Sequence, residues 1–199
     1  MDTETQILEA AKKIFLKKGF SGTRMQEIAD EANINKSMLH YYFRSKELLF
    51  QKIVENSLTL IAPIFLDAIT SDGPVMHKLE KLVVTYIDAI LKNPHVPMFI
   101  LYELSQKRVD FIRILQEKLH PADVLPRFIN QIEEEQAMGI LKPMDARHLI
   151  LTVMSLIVFP FIGRPVFQEM LGLSPEVYDD LLEERKKIVM SFLKDSFIQ

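Results

Sequence analysis

The sequence predicts an all-α protein, with an N-terminal three-helix helix-turn-helix domain over residues 1–50 and a larger helical domain over 51–199. Three observations carry that prediction. Apolar residues recur at the spacing of one helix face in most segments, as in Ile7, Ala11, Ile14 and Phe15, or Val75, Leu79, Leu82, Val83 and Tyr86. Capping residues and Gly or Pro stops cut those stripes into helix-length pieces, and no run reads as a strand. Residues 23–49, TRMQEIADEANINKSMLHYYFRSKELL, read as a short helix, a tight turn, a second short helix and a fresh helix start.

The first helix is expected from Thr3, where Thr3 and Gln6 have capping-box spacing, to Gly19. Its Lys12, Lys13, Lys17 and Lys18 lie on the wetter side. Thr23 and Gln26 repeat the capping-box spacing, and Met25, Ile28, Ala29 and Ala32 share the face that follows. The chain then reverses at Ala32-Asn33-Ile34-Asn35, where Asn33 tolerates a left-handed backbone and Asn35 can cap the next helix. In that helix, Lys36 to about Phe43, Leu39 and Phe43 point inward with Ile34, whereas Lys36, Ser37, His40 and Tyr41 share the opposite face. Short and medium polar side chains at the start of a helix can reach base edges in a DNA major groove. Ser45 caps a third helix that begins at Lys46, and a helix start with a lysine suits a phosphate.

These residues resemble the DNA-binding domain of TetR-type transcriptional regulators. The resemblance is carried by Gly19-Phe20-Ser21-Gly22-Thr23-Arg24 with Ile28-Ala29, by Ala32-Asn33-Ile34-Asn35-Lys36-Ser37-Met38-Leu39-His40-Tyr41-Tyr42-Phe43, and by Ser45-Lys46-Glu47-Leu48-Leu49. Asn33 and Ser37 stand where the family usually has Gly, and His40 where it usually has Tyr. The last two alter the DNA-facing surface, so the operator cannot be copied from a relative. The resemblance implies a repressor that binds double-stranded DNA at a palindromic operator, and a small-molecule effector that weakens DNA affinity. On this reading Lys36, Ser37, His40 and Tyr41 contact bases, Thr23, Arg24, Tyr42 and Lys46 contact phosphates, and Asn35 belongs to the same surface.

Composition constrains the rest. Hydrophobic residues at 48% and charged residues at 26% are those of a globular protein. Without cysteine there are no disulfides, thiolate metal sites or cysteine nucleophiles. The net charge is −3, yet residues 1–55 hold nine Lys or Arg against eight Asp or Glu, and residues 56–199 hold fifteen against nineteen. DNA binding would therefore rest on the placement of Arg24, Lys36, Arg44, Lys46 and Lys52 and on a second domain supplied by a dimer. The N-terminus has no apolar leader, so a cytoplasmic location is expected.

The helix from Ser45 is expected to kink or break at Pro63 and to continue to Ile69. Ser71-Asp72-Gly73-Pro74 is a turn, after which a long amphipathic helix runs to Leu91 and stops at Asn93-Pro94-His95-Val96-Pro97. Further helices are expected from Met98 to about Lys107, apolar around most of its circumference, from Asp110 to Leu119, and from Pro121 to Gly139, with Glu133-Glu134-Glu135 facing solvent. Leu149 to Ile162 has no charge, and at fourteen residues it reads as a buried helix and no bilayer span, which needs about twenty. Pro160 and Gly163 end it, and Ser174-Pro175-Glu176 starts the last helix. By the resemblance, the helices near 145–163 and 175–197 pair with their copies in a homodimer.

The resemblance also places an effector pocket among the middle helices, and aromatics with methionine suit an apolar or aromatic ligand. Phe65, His95, Met98, Phe99, Tyr102, Phe128, Met154 and Phe159 are the candidate lining, with Glu103 and His148 as further polar anchors. No catalytic residue, metal site, cofactor or membrane partner is expected, because there is no Gly-rich phosphate loop, HExxH or GxSxG and the five His are scattered. A DNA-binding dimer governed by a protein partner, and a helical enzyme, are the competing readings.

Overall fold

The computed structural model describes residues 2–105 and 121–199, and these residues form helices with no strand. The chain divides into two compact units, Met1–Ser57 and Leu58–Gln199. The helix expected over 110–119 lies outside the described residues.

The first unit contains α1 (Thr3–Gly22), α2 (Met25–Glu31), α3 (Lys36–Tyr42) and the start of α4 (Lys46–Thr70). Its core is Ile7, Ala11, Phe15, Ile28, Ala29, Leu39, Leu49 and Ile53, all buried. Two local expectations shift by one residue. Asp2, not Thr3, caps α1, its carboxylate accepting the Thr5 N–H at 2.7 Å, because a carboxylate at a helix N-terminus also meets the positive end of the dipole. Gln6 is thereby released from the expected box, and its amide donates to the Ala32 carbonyl at 2.7 Å. At α2 the box is closed by Glu27, whose carboxylate accepts the Arg24 N–H at 3.0 Å, and Gln26 instead bonds Asp30. Gly19 interrupts α1 as expected, with φ +69°, although helical backbone resumes to Gly22.

No break occurs at Pro63, and α4 stays helical to Thr70. Leu58 and Ala62 before the proline, and Ala68 and Ile69 after it, are all buried, so packing on both sides holds the helix across the missing N–H. By length and mean hydropathy, 1.4 over its most apolar window, α4 is the described helix that could cross a membrane alone. Its apolar residues, however, are placed in cores, with Leu49, Phe50, Ile53 and Val54 buried in the first unit.

The second unit adds α5 (Val75–Lys92), α6 (Val96–Ser105), α7 (Pro121–Ala137), α8 (Ala146–Ile162), α9 (Arg164–Leu171) and α10 (Pro175–Phe197). Within it α5 packs against α7, α8 and α10, burying Leu79, Leu82, Val83, Tyr86, Ile87 and Ile90 in the order its stripe predicts. Lys186 of α10 pairs with Asp88 of α5, and Arg185 donates to the Leu156 carbonyl at 2.9 Å. The Ser71–Pro74 turn forms, with φ +103° at Gly73. Ser174 caps α10 and Pro175 occupies its first turn, both as expected. The short α9 is not expected from sequence; it starts at Arg164, whose guanidinium reaches Asp179 at 2.7 Å and the Pro175 carbonyl at 3.0 Å, and it ends at Gly172 in the left-handed region.

Three burial expectations are corrected. Glu135 is only 7% exposed, since its carboxylate accepts the Val75 N–H at 2.9 and 3.2 Å and so caps α5 from sixty residues away. Gln131 donates both to Glu135 at 2.9 Å and to the Gly73 carbonyl at 3.0 Å, while accepting from Lys78 at 2.6 Å. The uncharged stretch of α8 from Leu149 is buried on one side only, with Leu151 at 62% and Phe159 at 57% exposure on the other. The apolar α6 likewise exposes Met98, Leu101 and Leu104. Removing the long-range cap, Glu135→Ala, should cost about 2 kcal/mol, because the Val75 N–H and the Gln131 amide both lose a buried acceptor. Urea unfolding of the full chain measures this, and a loss below about 0.5 kcal/mol would show the contact to be incidental.

Candidate nucleic-acid interface and apolar cavity

Local chemistry sets the pose of α3. Asn33 adopts φ +57°, the left-handed conformation expected of it, and turns the chain between α2 and α3. The Asn35 side chain accepts the Met38 N–H at 2.8 Å, so it caps α3, and Phe43 closes the helix through its N–H to the Leu39 carbonyl. Leu39 and Phe43 are buried, which leaves Lys36, Ser37, Met38, His40 and Tyr41 exposed together. Tyr41, 83% exposed, stands edge-on to Tyr42 with ring centroids 5.4 Å apart. His40 Nδ1 lies 3.3 Å from the Arg44 carbonyl, an orientation that fixes the ring at the end of the helix. Arg44, one of the basic residues expected to matter for DNA, is exposed beside this surface; Met38 also belongs to it, is not expected from sequence, and follows from the helix phase once Leu39 is taken as its buried point.

Among the expected phosphate contacts, Arg24 and Tyr42 are exposed. Thr23 and Lys46 are engaged within the unit. Thr23 is 2% exposed and its hydroxyl donates to the Gly19 carbonyl at 2.7 Å. The Lys46 ammonium donates to the carbonyls of Phe20 at 2.8 Å and Thr23 at 3.1 Å, and lies 4.5 Å from the centre of the Phe20 ring. Lys18 is also committed, to Glu27 at 2.6 Å, and this ammonium together with the Arg24 N–H holds the Glu27 carboxyl below its ordinary range. Ser45 caps α4 as expected, its hydroxyl accepting the Leu48 N–H at 3.2 Å.

Within the second unit the described residues line an open cavity of about 360 Å³. Its wall is Leu58, Ile61, Ala62 and Phe65 of α4, Tyr86 of α5, Pro97, Ile100, Leu101 and Leu104 of α6, and Met154, Val158 and Ile162 of α8. Of the sequence candidates, Phe65 and Met154 are on it. His95, Met98, Phe99, Tyr102, Phe128 and Phe159 are not. On α6, which begins at Val96, the cavity is lined by positions 97, 100, 101 and 104, with Leu101 and Leu104 also exposed, and not by the expected 98, 99 and 102. Phe99 is buried edge-on to His95 at 5.7 Å. Phe128 sits in the core beside a smaller recess of about 200 Å³ with Ile69, Lys78 and Gln131. Phe159 is exposed against Phe167 at 5.8 Å, and His148 faces outward.

Apart from the cavity, α8 exposes the apolar Leu151 and Phe159, and α10 exposes Val177, Leu181, Ile188 and Phe192. Their spacings, eight residues on α8 and four, seven and four on α10, keep each set on one helix face.

Residues 7–53 match the model of the bacterial regulatory proteins of the tetR family. Over 88% of this chain and 84% of the other protein, the sequence is 26% identical to the probable HTH-type transcriptional regulator YttP of Bacillus subtilis. The fold matches that of the ketosteroid transcriptional regulator KstR2 of Mycobacterium tuberculosis with a TM-score of 0.75 at 19% identity, covering 100% of this chain and 96% of that one. It also matches AibR in complex with isovaleryl coenzyme A and operator DNA, with a TM-score of 0.65 at 18% identity, over 80% of this chain and 86% of that one.

The turn chemistry at α3 is directly testable. Asn33→Ala should cost about 1 kcal/mol and Asn33→Gly should be neutral or stabilising, because only the former forces a Cβ without a compensating side chain into the left-handed region. Asn35→Ala should cost about 1 kcal/mol through the lost cap. Equal losses from the Ala and Gly variants at Asn33, measured by urea unfolding, would remove the backbone explanation.

Proposed function

We propose that this chain, a DNA-binding transcriptional regulator of TetR type, works as a homodimeric repressor that a small apolar ligand releases from its operator. The observation that carries the reading is the pairing of an exposed, polar, doubly anchored α3 with an apolar cavity in the other unit. AibR is found with isovaleryl coenzyme A and operator DNA, so a regulator of this fold that meets both a small molecule and DNA has precedent. The exposed stripes of α8 and α10 are the surfaces assigned to the dimer, where two copies would form a four-helix interface. Such a dimer presents two copies of α3, which offsets the small basic excess of each N-terminal unit. DNA binding places the protein in the cytoplasm.

Lys36, Ser37, His40 and Tyr41 are assigned to base edges, with Arg24 and Tyr42 on phosphates. Asn35 serves the surface by capping α3. Lys46 and Thr23 fix the segment that carries Arg24, and Lys46 adds its charge to the field over that surface. Four wall residues of the cavity, Leu58, Ile61, Ala62 and Phe65, belong to the same helix whose first residue is Lys46. A ligand acts on DNA affinity to the extent that it binds one arrangement of that wall better than another.

Selection of bound sequences from a random duplex pool should enrich a palindrome whose half-sites lie about one helical turn apart. Lys36→Ala and His40→Ala should then relax preference at particular base pairs by about 1–3 kcal/mol. Arg24→Ala should weaken every sequence equally and lower the salt slope by about one. Absence of enrichment at low salt would end the reading of α3 as a base reader, and uniform losses from all the variants would end the division of roles.

A further inference from the structure

Tyr86 is the one residue on the cavity wall, among the described residues, whose side chain bears a nitrogen or oxygen. It is 5% exposed, and its hydroxyl makes no hydrogen bond with any described residue. Its ring is fixed by the edge of Phe161 at a centroid distance of 6.5 Å. The other buried tyrosine of this unit behaves differently. Tyr178 donates its hydroxyl to the Pro160 carbonyl at 2.8 Å, which is the arrangement a structural phenol needs. A hydroxyl that faces an apolar cavity and has no partner among the described residues can take an acceptor from a ligand.

We propose that the Tyr86 hydroxyl is the polar anchor of the effector, and that the effector is an apolar molecule carrying one neutral carbonyl oxygen, a ketone or an ester. The proposal rests on the reading of the cavity as the effector site. Burial raises the Tyr86 pKa well above that of a free phenol, with no charge opposing it, so the group is protonated and available as a donor. The same wall disfavours a charged effector. No Lys, Arg, His, Asp or Glu lines the cavity among the described residues, so a carboxylate or ammonium there would be desolvated without a counter-charge. A pure hydrocarbon would fill the space and leave the hydroxyl unbonded, so it binds more weakly than its carbonyl isostere.

Three probes of nearly the same shape separate these cases: 2-acetylnaphthalene, 2-ethylnaphthalene and 2-naphthoate. Their dissociation constants for the full chain are read by displacement of the neutral dye N-phenyl-1-naphthylamine, for wild type and Tyr86→Phe. Wild type should prefer the ketone over the ethyl compound by about tenfold, with no displacement by the carboxylate in the same range. Tyr86→Phe should abolish that preference, bringing the ketone-to-ethyl ratio to about one. Binding of the ethyl compound without a wild-type preference for the ketone, a preference that survives Tyr86→Phe, or carboxylate binding equal to that of the ketone overturns the anchor and leaves the cavity as a ligand site. Failure of the dye and all three probes to bind overturns the effector site itself. The wild-type ketone-to-ethyl ratio stands as a test even if Tyr86→Phe does not fold.

Discussion

The Lys46 ammonium holds the first unit together at the point where its DNA-reading surface is set. It bonds the carbonyls of Phe20, in the last turn of α1, and Thr23, just before α2, and it lies against the Phe20 ring. That ring packs on Phe15 and Phe50, with centroids 5.8 and 5.1 Å away, so one charge joins the end of α1, the approach to α2 and the start of α4 to the same aromatic cluster. A cation spent in this way contributes positional order to the neighbouring Arg24 more than a contact of its own. Its charge is still felt at the surface, since field effects extend over about 10 Å at moderate salt.

Much of the first unit was legible because its determinants are local. The left-handed turn at Asn33, the caps at Asn35 and Ser45, and the buried Leu39 and Phe43 each depend on residues within four positions. The errors there are also local. Asp2 displaced Thr3 as cap and Glu27 displaced Gln26 in the box, because a carboxylate accepts from backbone N–H groups at a positive helix end more strongly than a hydroxyl or an amide does. Thr23 looked available as a helix cap and phosphate ligand, but the Gly19 interruption left a carbonyl that its hydroxyl satisfies instead.

In the second unit the helices were legible and their partners were not. Periodicity fixes which residues share a face, yet it does not say what that face meets. Glu135 sits in an acidic run that reads as solvated, and only folding brings it to the N-terminus of α5. The same limit explains α6 and α8, which are apolar around most of their circumference and so offer little phase from which to choose the inward face. Position 104 could not be preferred over 98 or 99 until α5 and α8 were in place. The eight residues of α9 were missed for another reason, since its start depends on Arg164 reaching Asp179 and Pro175 in the following helix.

On the proposed reading, the cavity of about 360 Å³ also bears on how release from DNA would work. Close-packed interiors leave few voids larger than a water molecule, so the apolar wall that the described residues leave unfilled gives up dispersion contacts a ligand would restore. Restoring them stabilises the protein but does not by itself alter DNA affinity, because a ligand that fits both conformations equally shifts nothing. The discriminating contacts must therefore involve an element whose arrangement differs between the DNA-competent and released states. Leu58, Ile61, Ala62 and Phe65 lie on α4, whose other end is fixed by Lys46, whereas Pro97, Ile100 and Leu101 lie on the separate α6. If the wall is read from the α4 side, enlarging or shrinking those four side chains changes how strongly the ligand is coupled to DNA. If it is read from α6, the same changes alter ligand affinity alone.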